Sequence, residues 1–290
     1  MKKYSLPIIL TIAGALLVVF ILCTVRPAAP KTFDKPLTIL HFNDTHSNFE
    51  PILGGKDSGL GGIIERAAFV ADEREKAGAE NVLLLHAGDW SQGSVYFTAL
   101  NGEMEVDVIN ALRYDVIALG NHEFDNGNKR LAERIQRINC PVVCANYEFD
   151  ENLSSLVKPY AIVERAGRKI GVIGLLADIS TLVMQDPDEK AQYKDPTPVV
   201  NELAAKLRKD EKCDLVIVLS HLGVEEDPSN PDSKIDPVLA SETRGVDLIV
   251  GGHSHTLLSD IRMVPDLDGH PVGIVQVGKY GINAGKITVD

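Results

Sequence analysis

Five short apolar runs constrain this chain more than any other feature. They are LTILHF at 37–42, VLLLHA at 82–87, VIAL at 116–119, LVIVLS at 215–220 and LIVG at 248–251. Each is too short for an ordinary helix and too uniformly apolar for a strand with one wet face, so each reads as a strand buried on both sides. Helical patterns separate them. Residues 62–78 put Ile63, Ala67, Val70 and Ala71 on one face, with Gly78 as a stop. Residues 105–113, 129–138 and 198–210 repeat the pattern, and Pro198 suits a first helical turn. PVVCAN at 141–146 reads as a further strand. Residues 161–176 read as a hairpin turning near Ala166-Gly167, and the tail from 273 as short antiparallel strands with glycine turns. Buried strands alternating with helices require sheets covered on both faces. The expected class is α/β with some antiparallel edges.

The same runs finish in an unusual way. The first leads into Asp44 and His46, the second into Asp89, the third into Asn121 and His122, the fourth into His221, and the fifth into His253 and His255. In α/β sheets ligands bind beyond the carboxyl ends of the strands, so these groups are expected to converge on one edge. Imidazole and carboxylate without thiolate suit divalent metals such as Mn, Fe, Co or Zn. Asp44 and His46 are two apart, as are His253 and His255, so in extended chain each pair leaves on one side. Seven candidate ligands favour two metals over one, with Asp89 the best candidate for a bridge. Two cations about 3.5–4 Å apart can clamp the attacking and leaving oxygens of a phosphoryl displacement. Taken singly, an Asp-x-His pair or a Gly-Asp after a strand is an ordinary turn; the joint occurrence carries the inference. His41 and His86 fall inside strands and read as core or supporting histidines. His270 reads as a solvent-exposed loop residue.

Charge narrows the partners. The 29 Lys and Arg against 41 Asp and Glu leave a net −12, which argues against nucleic-acid binding. A small anionic substrate stays open, because bound cations reverse the local field. At the N-terminus, Lys2 and Lys3 precede an uncharged apolar stretch, residues 6–25. As a helix at about 1.5 Å per residue it would span roughly 30 Å, one hydrocarbon core. The basic residues would stay cytoplasmic and the remainder be exported. The run exceeds the apolar core of a cleaved signal peptide, and Pro30 after Ala28-Ala29 disfavours cleavage, so a retained anchor is favoured over a signal peptide. Cys23 has no small residue before it to suggest lipidation. Residues 1–26 are thus expected as signal-anchor or signal peptide, 27–35 as a Pro/Ala-rich linker, and 36–290 as the catalytic domain. Cys140, Cys144 and Cys213 form no metal pattern and read as buried thiols.

The motifs DTH at 44–46, GD at 88–89, GNHE at 120–123, SH at 220–221 and GHSH at 252–255 resemble the metallophosphoesterase (calcineurin-like) superfamily. The stretches ILHFNDTHSNFEP, HAGDWSQGS, ALGNHEFDNG, DLIVGGHSHT and VGKYGINAGKI are similar to its 5′-nucleotidase / UDP-sugar hydrolase branch, over about residues 36–290. The resemblance implies a four-layer α/β/β/α catalytic domain with two divalent ions: Mn, Zn, Co, Fe or Mg. It implies one ion on Asp44, His46, Asp89 and His255, and the other on Asp89, Asn121, His221 and His253. It implies that His122, oriented by Asp125, stabilises the transition state or acts as general acid, while a metal-bound hydroxide attacks a phosphoester of a nucleotide. Nucleotidases of this branch also carry a C-terminal substrate-binding domain, which is expected to begin where residue 290 stands. A separate polypeptide supplying it is the favoured expectation; a fragment, or a chain acting alone on broader phosphoesters, are the others. A UDP-sugar pyrophosphatase, a cyclic phosphodiesterase or a thiosulfate-ester hydrolase would use the same metal core. A catalytically inactive membrane-tethered binding protein is the reading from another class, and eight intact site residues argue against it. The expected location is periplasmic or on the cell surface.

Overall fold

The computed structural model describes residues 7–12, 15–20, 33–183, 189–226 and 234–290. The chain forms two units, Met1–Thr32 and Phe33–Asp290. In the first, Pro7–Ile12 and Ala15–Phe20 pair antiparallel, with Ile12 opposite Ala15. The expected N-terminal helix is therefore not found, and no helix among the described residues is long and apolar enough to cross a membrane. Six-residue runs of Ile, Leu and Val satisfy a strand as readily as a helix, and periodicity cannot separate the two.

The second unit holds the remaining elements. A first sheet contains β1 (Leu37–Phe42), β2 (Val82–His86), β3 (Val116–Ala118) and β4 (Val142–Val143), all parallel. A second contains β5 (Tyr160–Arg165), β6 (Arg168–Leu176), β7 (Leu215–His221), β8 (Leu248–Gly251), β9 (Arg262–Pro265) and β10 (Pro271–Val275). Its order is β9-β10-β8-β7-β6-β5, parallel from β10 to β6 and antiparallel at both edges. The last strand, β11 (Gly285–Val289), returns to the first sheet antiparallel to β1.

Three apolar layers hold four layers of structure. Between the sheets lie Leu37, Ile39, Leu83, Leu85, Val116, Val172, Ile217, Leu219 and Val250. On the outer face of the first sheet, Leu40, Phe42 and Leu84 meet α1 (Ile63–Ala77), α3 (Glu103–Leu112) and α4 (Gly127–Ile135) through Val70, Ile109 and Leu131. Beyond the second sheet, Val216, Val218 and Ile249 meet α5 (Pro196–Lys209) and α6 (Asp236–Ser241) through Val200, Leu207 and Leu239. The arrangement is α/β/β/α. Alternate residues of β1 and β2 thus enter different cores, which is why these runs show no polar alternation.

PVVCAN departs from expectation. Only Val142 and Val143 pair as strand. The Cys144 and Ala145 amides donate to Lys158 and Gly174 carbonyls, so the chain leaves the first sheet toward the second. A short helix, α2 (Val95–Leu100), was invisible to periodicity because Val95 and Leu100 are solvent-exposed. Cys140, Cys144 and Cys213 are free thiols.

Candidate metal centre

The polar ends of β1, β2, β3, β7 and β8 meet at one edge. The clearest link between the sheets is the His221 ring, whose Nδ1 lies 2.7 Å from the Ala87 carbonyl just past β2. A carbonyl only accepts, so Nδ1 donates there. In the neutral ring Nε2 is then a lone pair, buried without a hydrogen-bond partner and 3.2 Å from an Asp89 carboxylate oxygen. A lone pair facing a carboxylate requires a cation between them. Without a metal that cation is a proton: burial lowers the His221 pKa, but Asp89, Asp44 and the Ala87 carbonyl push it up to about 10. Burial likewise opposes ionisation of Asp89, yet His221, His46 and His122 hold its carboxyl well below the usual range.

Asp44, His46, Asp89 and His255 form one tight set, with one ligand atom of each within 4.8 Å of every other. His46 Nε2 and His255 Nε2 stand 3.0 Å apart, and His255 Nε2 is 3.4 Å from Asp44 Oδ1. Two imidazole nitrogens and two carboxylates aimed at one point fit a divalent cation. Burial keeps His46 below its usual pKa, as a neutral ligand must be. A second set adjoins through Asp89. His221 Nε2 lies on the Oδ2 side of that carboxylate, while His253 Nδ1 is 3.0 Å from the Asn121 Oδ1 and its ring 5.2 Å from the His221 ring. Burial, then His221, lowers the His253 pKa to about 4, so this ring is neutral too.

Backbone conformation, not strand alternation, aims these groups. Asp44, His46, Asp89, His253 and His255 all have left-handed φ, between 46° and 73°. Extended chain was the expected reason for the two-residue spacings; the turns replace it. They also send His253 and His255 to different sets. Close approach selects glycine at 120, where a Cβ would lie 2.2 Å from Asp89 Oδ1.

His122 stands apart from the ligand atoms. Its amide donates to Asp89 Oδ1 at 3.0 Å, and its ring lies 5.3 Å from that of His46. Nδ1 meets Asp125 Oδ2 at 2.9 Å, so Nε2 is the ring's outward nitrogen. Burial lowers the His122 pKa, but the Asp125 hydrogen bond and Asp89 raise it above the ordinary histidine value.

His41 and His86 are buried outside both sets, and His270 is exposed, as expected. His86 contacts Thr45 Oγ1 at 3.1 Å. Sequence reasoning did not single out Asn43. It donates from Nδ2 to Asp44 Oδ2 at 2.7 Å and to the Gly278 carbonyl, and accepts from the Val277 amide, tying Asp44 to the chain before β11. Gln276, fully buried, accepts from Ser254 and Thr256 and donates to the Gly252 carbonyl, bracing the histidine turn. One polar residue at a strand end carries no signal that distinguishes these roles.

Comparison with known proteins places this geometry. The sequence profile of the calcineurin-like phosphoesterases matches residues 37–257. A probable 5′-nucleotidase of Treponema pallidum (strain Nichols) is 34% identical over 280 residues, covering 88% of this chain and 45% of that protein. The crystal structure of a 5′-nucleotidase precursor from Thermus thermophilus superposes with TM-score 0.78 at 33% identity, covering 88% of this chain and 51% of that one. Haemophilus influenzae NAD nucleotidase superposes with TM-score 0.75 at 29% identity, covering 88% and 47%. The chain spans about half the length of the curated relatives it matches.

Proposed function

The chain belongs to the calcineurin-like phosphoesterase family, and from that premise we propose that it hydrolyses nucleotide phosphoesters in the manner of a 5′-nucleotidase. The observation that carries this reading is the unpartnered His221 lone pair facing Asp89, with donor sets on both sides of that carboxylate. Asp44, His46, Asp89 and His255 would hold one cation. Asp89, Asn121, His221 and His253 would hold the other. When bound, the cations supply Lewis acidity that polarises the phosphoryl group and acidifies water.

The chain's own residues supply orientation and a proton. Asn43 and the His253 amide, both bonded to Asp44, keep that carboxylate fixed. Asp125 fixes the His122 ring, whose raised pKa suits a group that holds a proton at Nε2 and delivers it to the departing ester oxygen. Residues 36–290 act on this reading as the catalytic domain. Selection of base or sugar draws on a second domain, carried by another polypeptide or by further chain. Lys2 and Lys3 ahead of the apolar residues 6–25 support export, with this stretch read as a targeting signal.

The test is hydrolysis of AMP and of an aryl phosphate with Mn²⁺. Cleavage of aryl phosphate with poor use of AMP supports a competent centre whose specificity lies outside this stretch. Efficient AMP cleavage by this chain alone removes the need for a second domain. Cleavage of neither, with Mn²⁺ bound, rejects the reading.

A further inference from the structure

Below the ligand turns lies a group of buried charges that contributes no atom to either donor set. Glu123, fully buried, accepts four hydrogen bonds. Its Oε2 takes the amides of Asp89 at 2.9 Å and Gly120 at 2.6 Å. Its Oε1 takes the Ser91 amide at 3.0 Å and the Ser91 hydroxyl at 2.8 Å. One carboxylate thus ties the turn after β2, which carries Asp89, to the turn after β3, which carries Asn121. Arg134, on α4, donates from Nη2 to the Glu123 main-chain carbonyl at 2.7 Å. Its guanidinium lies 5.6 Å from the Trp90 ring and 5.7 Å from the Phe97 ring, so it is wedged between the β2 turn and α2. Glu105, on α3, accepts from the hydroxyl of Ser47, the residue after His46.

Stability alone explains this group poorly. Arg134 Nε and Nη1 and Glu105 Oε2 are buried without hydrogen-bond partners. Such atoms are costly, and a well-packed apolar replacement for buried ions is often neutral or better. The turns above need support of another kind. Asp44, His46, Ser47 and Asp89 hold left-handed backbone, which persists only where the surroundings over-determine it.

We propose that Glu123, Arg134 and Glu105 are positioning residues that set the spacing of the turns bearing Asp44, His46, Asp89 and Asn121, and thereby the affinity of the centre for divalent cations. The inference rests on the metal-centre reading above. Asp89 is the shared carboxylate, so a shift in its turn alters both donor sets at once. Glu123 holds that turn by two amides and a hydroxyl, and Arg134 holds Glu123 in place from a helix that itself reaches no ligand.

The test is Mn²⁺ binding to the full chain, measured by equilibrium dialysis and by the electron paramagnetic resonance signal of bound Mn²⁺, beside the thermal midpoint of the metal-free protein. Glu123→Gln sets an amide NH₂ against backbone donors and is expected to weaken Mn²⁺ binding by about 10–100-fold. Arg134→Lys and Ser47→Ala are milder and are expected to weaken it by about 3-fold or more. Aryl phosphate cleavage by all three should recover at saturating Mn²⁺. Glu133→Gln, in an exposed pair with Arg130 on the same helix, should change nothing. Variants with a lowered midpoint but unchanged Mn²⁺ affinity would overturn the proposal, leaving a purely structural role. Should Glu123→Gln fail to fold, unchanged affinity in Arg134→Lys and Ser47→Ala overturns it equally. Wild type that takes up no Mn²⁺ would instead sink the metal-centre reading itself.

Discussion

On the proposed reading His122 and Asn121 are neighbours with different work, and the difference follows from where each side chain stops. Asn121 Oδ1 ends beside His253, among the candidate ligand atoms, whereas the His122 ring is held by Asp125. His122→Asn should therefore lower kcat for aryl phosphate by about 10²–10⁴-fold, the range for loss of general acid–base help. Dialysis should find its Mn²⁺ affinity unchanged; a matching loss of metal would make His122 a ligand. His41 shows what a histidine does when it is only core. Burial lowers its pKa to about 4 against an ordinary 6.5. Its native form is neutral, so the unfolded chain binds the extra proton, and the stability His41 allows is present above pH 6.5 and lost as pH falls toward 4. The effect is on the order of 3 kcal/mol from this one residue. Urea titrations of wild type and His41→Gln between pH 7 and 4 should converge as the pH falls; parallel curves would reject the assignment.

Among elements, those with strong local signals matched expectation. The hairpin of β5 and β6 turns at Ala166 and Gly167, both with left-handed φ, where the sequence suggested. Helix α5 forms as expected but begins two residues before the expected 198, at a cap not singled out in the sequence: the Asp195 carboxylate accepts from the Thr197 amide, and Pro196 opens the first turn. Asp195→Ala should cost about 1 kcal/mol of stability by denaturant titration and leave hydrolysis unchanged; no loss would mean the cap is dispensable. The elements that departed were those whose apolar composition suits more than one pairing. PVVCAN reads as six strand residues, but its backbone switches sheets after Val143, drawn by Lys158 and Gly174. The stretch at 6–25 reads as one helix by length, and its described parts are paired strands instead. In both, apolar composition is symmetric between alternatives and the pairing partner decides: Lys158 and Gly174 for PVVCAN, the adjacent strand for Pro7–Ile12.

The unit Phe33–Asp290 is built on two large sheets whose loop ends converge on one candidate site, so a metal centre there would also tie the sheets together. A cation held by Asp89 and His221 would join the β2 turn to β7, beside the His221–Ala87 hydrogen bond. Binding to the folded form alone stabilises it by RT ln(1 + [L]/Kd), about 2.7 kcal/mol at a cation concentration 100 times Kd. Removing metal with a chelator should lower the thermal midpoint and restoring Mn²⁺ should recover it. A midpoint indifferent to metal would place the cations outside the sheet-to-sheet tie.

Sequence by itself determined the α/β class, the strands that end in chemistry, and the residue types available there. It did so because hydrophobic periodicity and side-chain donor chemistry are local properties, readable one window at a time. Only the tertiary structure decided which donors face which. Asp44 with His255, and Asn121 with His253, are separated by 211 and 132 residues. The left-handed turns that aim them, and the buried Glu123 and Arg134 beneath, exist only where strands from distant parts of the chain are already packed side by side.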